Sequence, residues 1–107
     1  MLRPPLAEIL TALRHELSRE LGDQLDSMLL FGSQARGEAR PDSDIDILIV
    51  VNGPFDYGDL IRRTSSIVSA LSLEHNAVIS RVFVPKERLE LEPGPFLLNV
   101  QREGIAV

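Results

Sequence analysis

Hydrophobic residues in the first part of the chain recur every three or four positions, which is the spacing of one face of an α-helix. The pattern starts after Pro4 and Pro5, which suit a first helical turn, and should end at Gly22. Similar patterns predict a second long helix over residues 59–74 and a last helix from about residue 96 to Gly104. The apolar stripe of the first helix consists of Leu6, Ile9, Leu10, Leu13, Leu17 and Leu21.

Three shorter segments are dominated by apolar and β-branched residues and are predicted to be strands. They cover residues 25–31, 47–51 and 77–84. A short helical turn is expected at residues 86–90, and residues 105–107 should add an edge strand or dock as a tail. These elements predict an α/β fold of the α+β kind, a small mixed β-sheet with flanking helices.

Length and composition agree with one domain over residues 1–107, since 44% hydrophobic residues suffice for one modest core. The chain has no cysteine, which excludes disulfides and thiolate metal sites. No apolar run approaches the roughly 18 residues of a membrane span, so we expect a cytoplasmic protein with no membrane partner. The net charge of −5 should repel a phosphate backbone, so we expect no nucleic-acid partner.

The polar loop between the first two predicted strands carries the candidate chemistry. It begins with Gly32 and Ser33, where backbone amides at the start of a short helix can cradle phosphate oxygens. Asp44 and Asp46 lie at the mouth of the second strand, where alternation would point both carboxylates the same way, about 6 to 7 Å apart. Because Mg²⁺ prefers carboxylate oxygens and completes its shell with water and phosphate, the loop predicts a magnesium and phosphate site.

Two further loop residues have candidate roles. Arg36 either contacts a phosphate or braces the loop by pairing with Asp42 or Asp44. Ser43 is expected to cap or orient the loop through its hydroxyl. Outside this loop, Tyr57 could stack on a base or serve only in packing.

This order of residues resembles the nucleotidyltransferase motif of the DNA polymerase β superfamily. That motif is a strand, Gly-Ser, a short helical turn, Ala-Arg-Gly, and Ser-Asp-x-Asp leading into a strand. The chain carries it as Gly32, Ser33, Ala35, Arg36, Gly37, Ser43, Asp44 and Asp46. The short length and the Ala-Arg-Gly variant resemble in particular the minimal nucleotidyltransferases, which often accompany a small helical protein of the HEPN type in toxin–antitoxin pairs.

The resemblance implies a polymerase β-type fold and a metal-dependent transfer of a nucleoside monophosphate, AMP from ATP, to a hydroxyl on a partner protein. It implies nucleotide binding by Gly32, Ser33, Arg36 and Ser43. It also implies that Asp44 and Asp46 are the catalytic residues and hold Mg²⁺. The partner would be a small helical HEPN-type protein, and this chain would be the antitoxin.

The third predicted strand departs from the family pattern. Fully active relatives usually place a third carboxylate there, which shares a metal and accepts the proton of the attacking hydroxyl. The corresponding residues here contain no acid, and either Ser80 or Arg81 takes its place. A catalytically weak or inactive subunit that acts as a binding partner or scaffold is therefore the alternative.

The last predicted helix bears on the partner. Phe96, Leu97, Leu98 and Val100 put apolar residues on more than one side of it, which exceeds what one buried face requires. We expect a partner protein to bind there, with a homodimer as the alternative.

Overall fold

Five α-helices and four strands form the part of the chain that a computed structural model describes, residues 4–38, 40 and 43–107. The helices are α1 (Pro4–Leu21), α2 (Ser33–Arg36), α3 (Tyr57–His75), α4 (Lys86–Leu91) and α5 (Gly94–Glu103). The strands are β1 (Leu25–Phe31), β2 (Ile45–Val51), β3 (Ile79–Pro85) and β4 (Ile105–Ala106). Within these described ranges, no helix is both long enough and apolar enough to span a bilayer.

The four strands form one mixed sheet in the order β3-β2-β1-β4, which confirms the predicted fold class. β1 runs antiparallel to both β2 and β4, whereas β2 and β3 are parallel and are connected through α3. The C-terminal tail is therefore an edge strand. It is also tied to α1, because Nη1 of Arg14 donates to the carbonyl oxygen of Val107 at 2.7 Å.

The sheet has a hydrophobic cluster on each face, and β2 contributes to both. Ile45, Ile47, Ile49 and Val51 pack into the larger cluster with α1 and α3. Leu48 and Val50 pack into a smaller cluster with Leu97 and Val100 of α5. A strand buried on both faces has a nearly continuous apolar sequence, which is why this segment was recognisable as a strand.

Element boundaries differ from the predicted ones by a few residues where caps decide them. The α3 helix begins at Tyr57 because the side chain of Asp56 accepts a hydrogen bond from the amide of Asp59 at 3.1 Å. It ends at His75 and is capped by Asn76, whose φ of 49° is left-handed. The third strand was predicted to begin at residue 77, but β3 begins at Ile79. The carbonyl oxygen of Val78, just before it, accepts a hydrogen bond from the amide of Ile45 at 2.8 Å.

We predict that Leu17→Ala destabilises the protein by about 2–5 kcal/mol, because it leaves a cavity in the larger cluster. The side chain of Leu17 is fully buried on α1. The control is Leu73→Ala on α3, where the leucine is 85% exposed and truncation should change stability by less than about 0.5 kcal/mol. Urea denaturation measures both, and equal losses of stability would contradict the burial of Leu17 in the larger cluster.

Candidate functional site

Asp46 lies near the start of β2 on the sheet face that α5 covers further along. Alternate residues of a strand point to the same face, so Asp46 shares its face with Leu48 and Val50, whose side chains pack against α5. Its cross-strand neighbours are Phe31 of β1 and Ser80 of β3. Residues paired across a sheet point to the same side, so these side chains form a row across the face.

The register of β2 and β3 decides which residue replaces the third carboxylate. Ser80 pairs with Asp46 and is exposed, so it shares the face of the aspartate. Arg81 points to the other face, where its Nε donates to Oγ1 of Thr64 at 2.9 Å and its Nη2 donates to the carbonyl oxygen of Ile61 at 3.0 Å. Ser80 therefore occupies the position, and within the described residues no third acidic or imidazole group joins the two aspartates.

The carboxylate of Asp46 lies directly against the turn that precedes α2. Gly32 adopts a left-handed φ of 75°, and a Cβ atom placed there would press against Oδ2 of Asp46. The carbonyl oxygen of Gly32 accepts from the amides of Ala35 and Arg36 at 3.1 and 3.2 Å. The left-handed φ favours glycine at this position, and the predicted Gly-Ser turn lies directly against the aspartate.

Burial is the main cause that raises the pKa of Asp46 above its ordinary value. The negative charge of Asp44 raises the pKa of Asp46 further, and the positive charge of Arg36 lowers it. Asp44 is exposed and precedes β2 instead of lying within it. Strand alternation therefore determines the direction of the Asp46 side chain but not that of Asp44. The two carboxylates are nevertheless near enough to repel each other, because the charge of Asp44 raises the pKa of Asp46.

Arg36 braces the loop, but with acids other than the predicted ones. Its Nε lies 3.0 Å from Oε1 of Glu38, and its Nη1 lies 3.6 Å from Oε2 of Glu103 in the last turn of α5. Of the two predicted pairings, the one with Asp44 does not occur in the part of the chain that the structure describes. Asp42 lies outside the described residues.

A buried glutamine that no sequence pattern predicted connects the two halves of the site. Gln34 is only 8% exposed, and its Nε2 donates to the carbonyl oxygen of Ser43 at 3.1 Å. The hydroxyl of Ser43 accepts from the amide of Arg40 at 2.9 Å, which confirms the predicted loop-orienting role of this residue. No local pattern marks Gln34, because its partner lies nine residues further along the chain.

The ring of Tyr57 has a packing role. It contacts Phe83 edge-on at a centroid distance of 5.6 Å, and its hydroxyl accepts from the amide of Phe83 at 3.3 Å. Phe83 faces the α3 side of the sheet, which is opposite to Asp46. The structure therefore shows the packing contact that was one of the two possibilities for Tyr57.

The residues present fit a magnesium ion. Asp44 and Asp46 supply hard oxygen donors, and a bound cation would relieve the repulsion between the two carboxylates that raises the pKa of Asp46. Two carboxylates suffice when water and substrate phosphates complete the shell, which is the usual arrangement for this ion.

Comparison with known families gives one match that spans most of the chain. Residues 8–102 match the family model described as "Nucleotidyltransferase domain". Two similar proteins come from Methanocaldococcus jannaschii and bear the names "Putative protein adenylyltransferase MJ0141" and "Putative protein adenylyltransferase MJ0604". The first is 33% identical over 81 residues, 76% of this chain and 81% of the relative. The second is 34% identical over 82 residues, 76% of each protein.

Solved structures share the fold at lower sequence identity. A crystal structure described as that of a "putative nucleotidyltransferase" from Sulfolobus solfataricus superposes with a TM-score of 0.56 at 19% identity. It covers 97% of this chain and 86% of that one. A structure described as a "toxin-antitoxin with AMP-PNP" superposes with a TM-score of 0.57 at 21% identity, over 88% of this chain and 68% of that one.

We predict that Asp46→Asn raises the melting temperature at pH 7. A raised carboxyl pKa means that the folded protein holds the proton more tightly than the unfolded chain does. The resulting destabilisation is absent below the ordinary pKa of 3.8 and develops as the pH rises through the interval up to the folded pKa. It then persists at neutral pH.

Melting curves of wild type and Asp46→Asn between pH 7 and 4 measure this effect, and the gap between them should shrink as the pH falls. The control is Glu92→Gln, which replaces an exposed acid that forms no ion pair with the described residues. A gap that is absent at pH 7, or one that grows on acidification, would contradict the electrostatic account of Asp46.

Proposed function

The chain belongs to the nucleotidyltransferase domain family, and we propose that it transfers a nucleoside monophosphate, AMP from ATP, to a hydroxyl on a partner protein. The observation that carries the proposal is the contact between the Asp46 carboxylate and the Gly32 turn, with Asp44 beside it. A carboxylate pair next to the first amides of a helical turn suits a metal-bound triphosphate. The names of the two relatives, protein adenylyltransferases, support the choice of AMP.

In the proposed reaction the acceptor oxygen forms a bond to the α-phosphorus of ATP, and the bond to the departing pyrophosphate breaks. The amides that follow Gly32, with Ser33 and Arg36, would hold the phosphates. Gln34 and Ser43 would keep that turn at a constant distance from Asp44 through their hydrogen bond. Arg36 already has two carboxylate neighbours, so its charge is partly neutralised before a phosphate arrives.

Asp44 and Asp46 would hold Mg²⁺, which when bound would offset phosphate charge as the pyrophosphate departs. The chain supplies no carboxylate at Ser80 to accept the proton of the acceptor hydroxyl. That proton must pass to water or to a base on the acceptor protein. We therefore expect slower transfer than in a site with three acids.

The proposed acceptor is a small helical protein of the HEPN type, with this chain as its antitoxin. The structural neighbours described as toxin–antitoxin complexes support an assembly of this kind. Electrostatic attraction would assist it, because the net charge of −5 favours a basic partner.

The alternative function is that of a catalytically weak or inactive subunit that neutralises its partner by binding alone. The exposed Ser80 hydroxyl at the position of the third acid favours this alternative. The close contact between Gly32 and Asp46 opposes it, because a scaffold has no need for two repelling carboxylates beside a strained turn.

The test is to co-express the chain with the protein encoded beside it, incubate the pair with ATP and Mg²⁺, and weigh both proteins by mass spectrometry. We expect the mass of one AMP on the partner, and its loss with Asp44→Asn and with Asp46→Asn. Glu92→Gln serves as the control variant and should transfer normally. A stable complex without added mass would support the scaffold, and two proteins that neither associate nor gain mass would contradict both functions.

We predict that Ser80→Asp increases the transfer rate. General-base assistance is worth about 10²- to 10⁴-fold, and the substitution places a carboxylate on the same face as Asp46. Ser80→Asn is the matched control, since it has nearly the same shape without the charge. Initial rates of AMP incorporation measure the effect, and equal rates in the two variants would show that the site lacks more than one carboxylate.

A further inference from the structure

We propose that Phe96, supported by Phe31, forms the surface on which the base of the bound nucleotide stacks. This inference rests on the proposed nucleotidyltransferase function and adds a binding residue to it. The ligand class is a nucleoside triphosphate whose phosphates lie at the Gly32 turn.

The position of Phe31 links the aromatic pair to the aspartate. Phe31 is the last residue of β1, it pairs with Asp46 across the sheet, and Gly32 follows it directly. Paired side chains point to the same face with Cβ atoms about 4.5–5.5 Å apart. Phe96 contacts Phe31 with a centroid distance of 5.6 Å and an interplanar angle of 83°. The Phe96 ring is therefore separated from the carboxylate site by only one side chain.

A second contact shows that one flank of α5 borders the site. Phe96 and Glu103 are seven residues apart, almost two full turns, and so lie on the same side of the helix. Glu103 pairs with Arg36 of α2 at 3.6 Å, and Phe96 contacts Phe31. Phe31 precedes the Gly32 turn in the chain and Arg36 follows it. This side of α5 therefore lies beside the turn.

The other aromatic residues pack on the sheet face opposite to Asp46. The chain has five aromatic side chains. Phe55, Tyr57 and Phe83 contact one another in series, and both Phe55 and Phe83 pack in the cluster on the α3 face. A base above Asp46 can therefore reach only the pair on the α5 face.

Phe96 also has free ring surface. It is 52% exposed, although its neighbour Leu97 is buried. In a perpendicular pair the edge of one ring meets the face of the other, so Phe31 covers at most one face of Phe96. Stacking of a base on the open face would bury apolar area that is otherwise exposed to water. Since every base has a π-face, this contact should favour ATP and GTP alike.

The experiment measures binding of ATP and of inorganic tripolyphosphate, each with Mg²⁺, by calorimetry. Stacking of one base is typically worth about 5- to 140-fold in affinity. We expect Phe96→Ala to weaken ATP binding within that range and to change tripolyphosphate binding by less than about twofold. Phe96→Trp should retain ATP binding. Leu98→Ala is the matched control, because Leu98 is 56% exposed on the same helix, about 200° around the axis from Phe96.

The outcomes separate this inference from the function on which it rests. If the wild type binds neither ligand, the proposed function fails. If the wild type binds ATP and Phe96→Ala matches Leu98→Ala, the stacking surface is wrong and the function stands. Equal loss of both ligands in Phe96→Ala would make Phe96 a structural residue and overturn the inference. Unchanged ATP binding with loss of the protein complex would also overturn it and assign the ring to partner docking.

Discussion

The burial of β2 on both faces of the sheet is the constraint on which the rest of the structure depends. Its residues from Ile47 to Val51 are inaccessible to solvent, with alternate side chains in the two hydrophobic clusters. A shift of one residue would exchange the two sets of side chains, so the register is strongly determined. Asp46 precedes this buried segment directly, and its position relative to β1 and β3 is therefore determined by core packing.

The site itself works against folding. Asp46 is partly desolvated and close to Asp44, and both effects disfavour its ionised form. Gly32 adds a left-handed backbone conformation at a point where an added Cβ atom would press against the Asp46 carboxylate. Such losses of stability are typical of functional sites. A bound cation would attract both carboxylates and so offset the repulsion between them. The hydrophobic clusters must supply the stability that this corner of the sheet lacks.

Helix α5 connects core packing to the site. Leu97 and Val100 attach it to the sheet next to Leu48 and Val50. The same helix brings Phe96 to Phe31 and Glu103 to Arg36. Phe96 and Glu103 thus lie beside the Gly32 turn although no sequence motif marks them. The buried face of a short helix also determines the direction of the side chains next to that face.

The sequence alone determined the order of the elements and the approximate position of their boundaries. Apolar periodicity reflects burial of one helix face or of both strand faces, and burial is what forms those elements. The Gly-Ser turn and the two aspartates were equally visible, because they lie close together in the chain. Local spacing also placed Ser43 in its loop-orienting role, which the hydrogen bond to the amide of Arg40 confirms.

Tertiary structure alone decided the contacts between distant segments. The choice of Ser80 over Arg81 depends on the register of two parallel strands joined through a long helix. The pairing of Arg36 with Glu103 and the packing of Phe96 on Phe31 join residues more than sixty positions apart. No periodicity encodes such pairs, because they form only when the two clusters bring α5 and the sheet together.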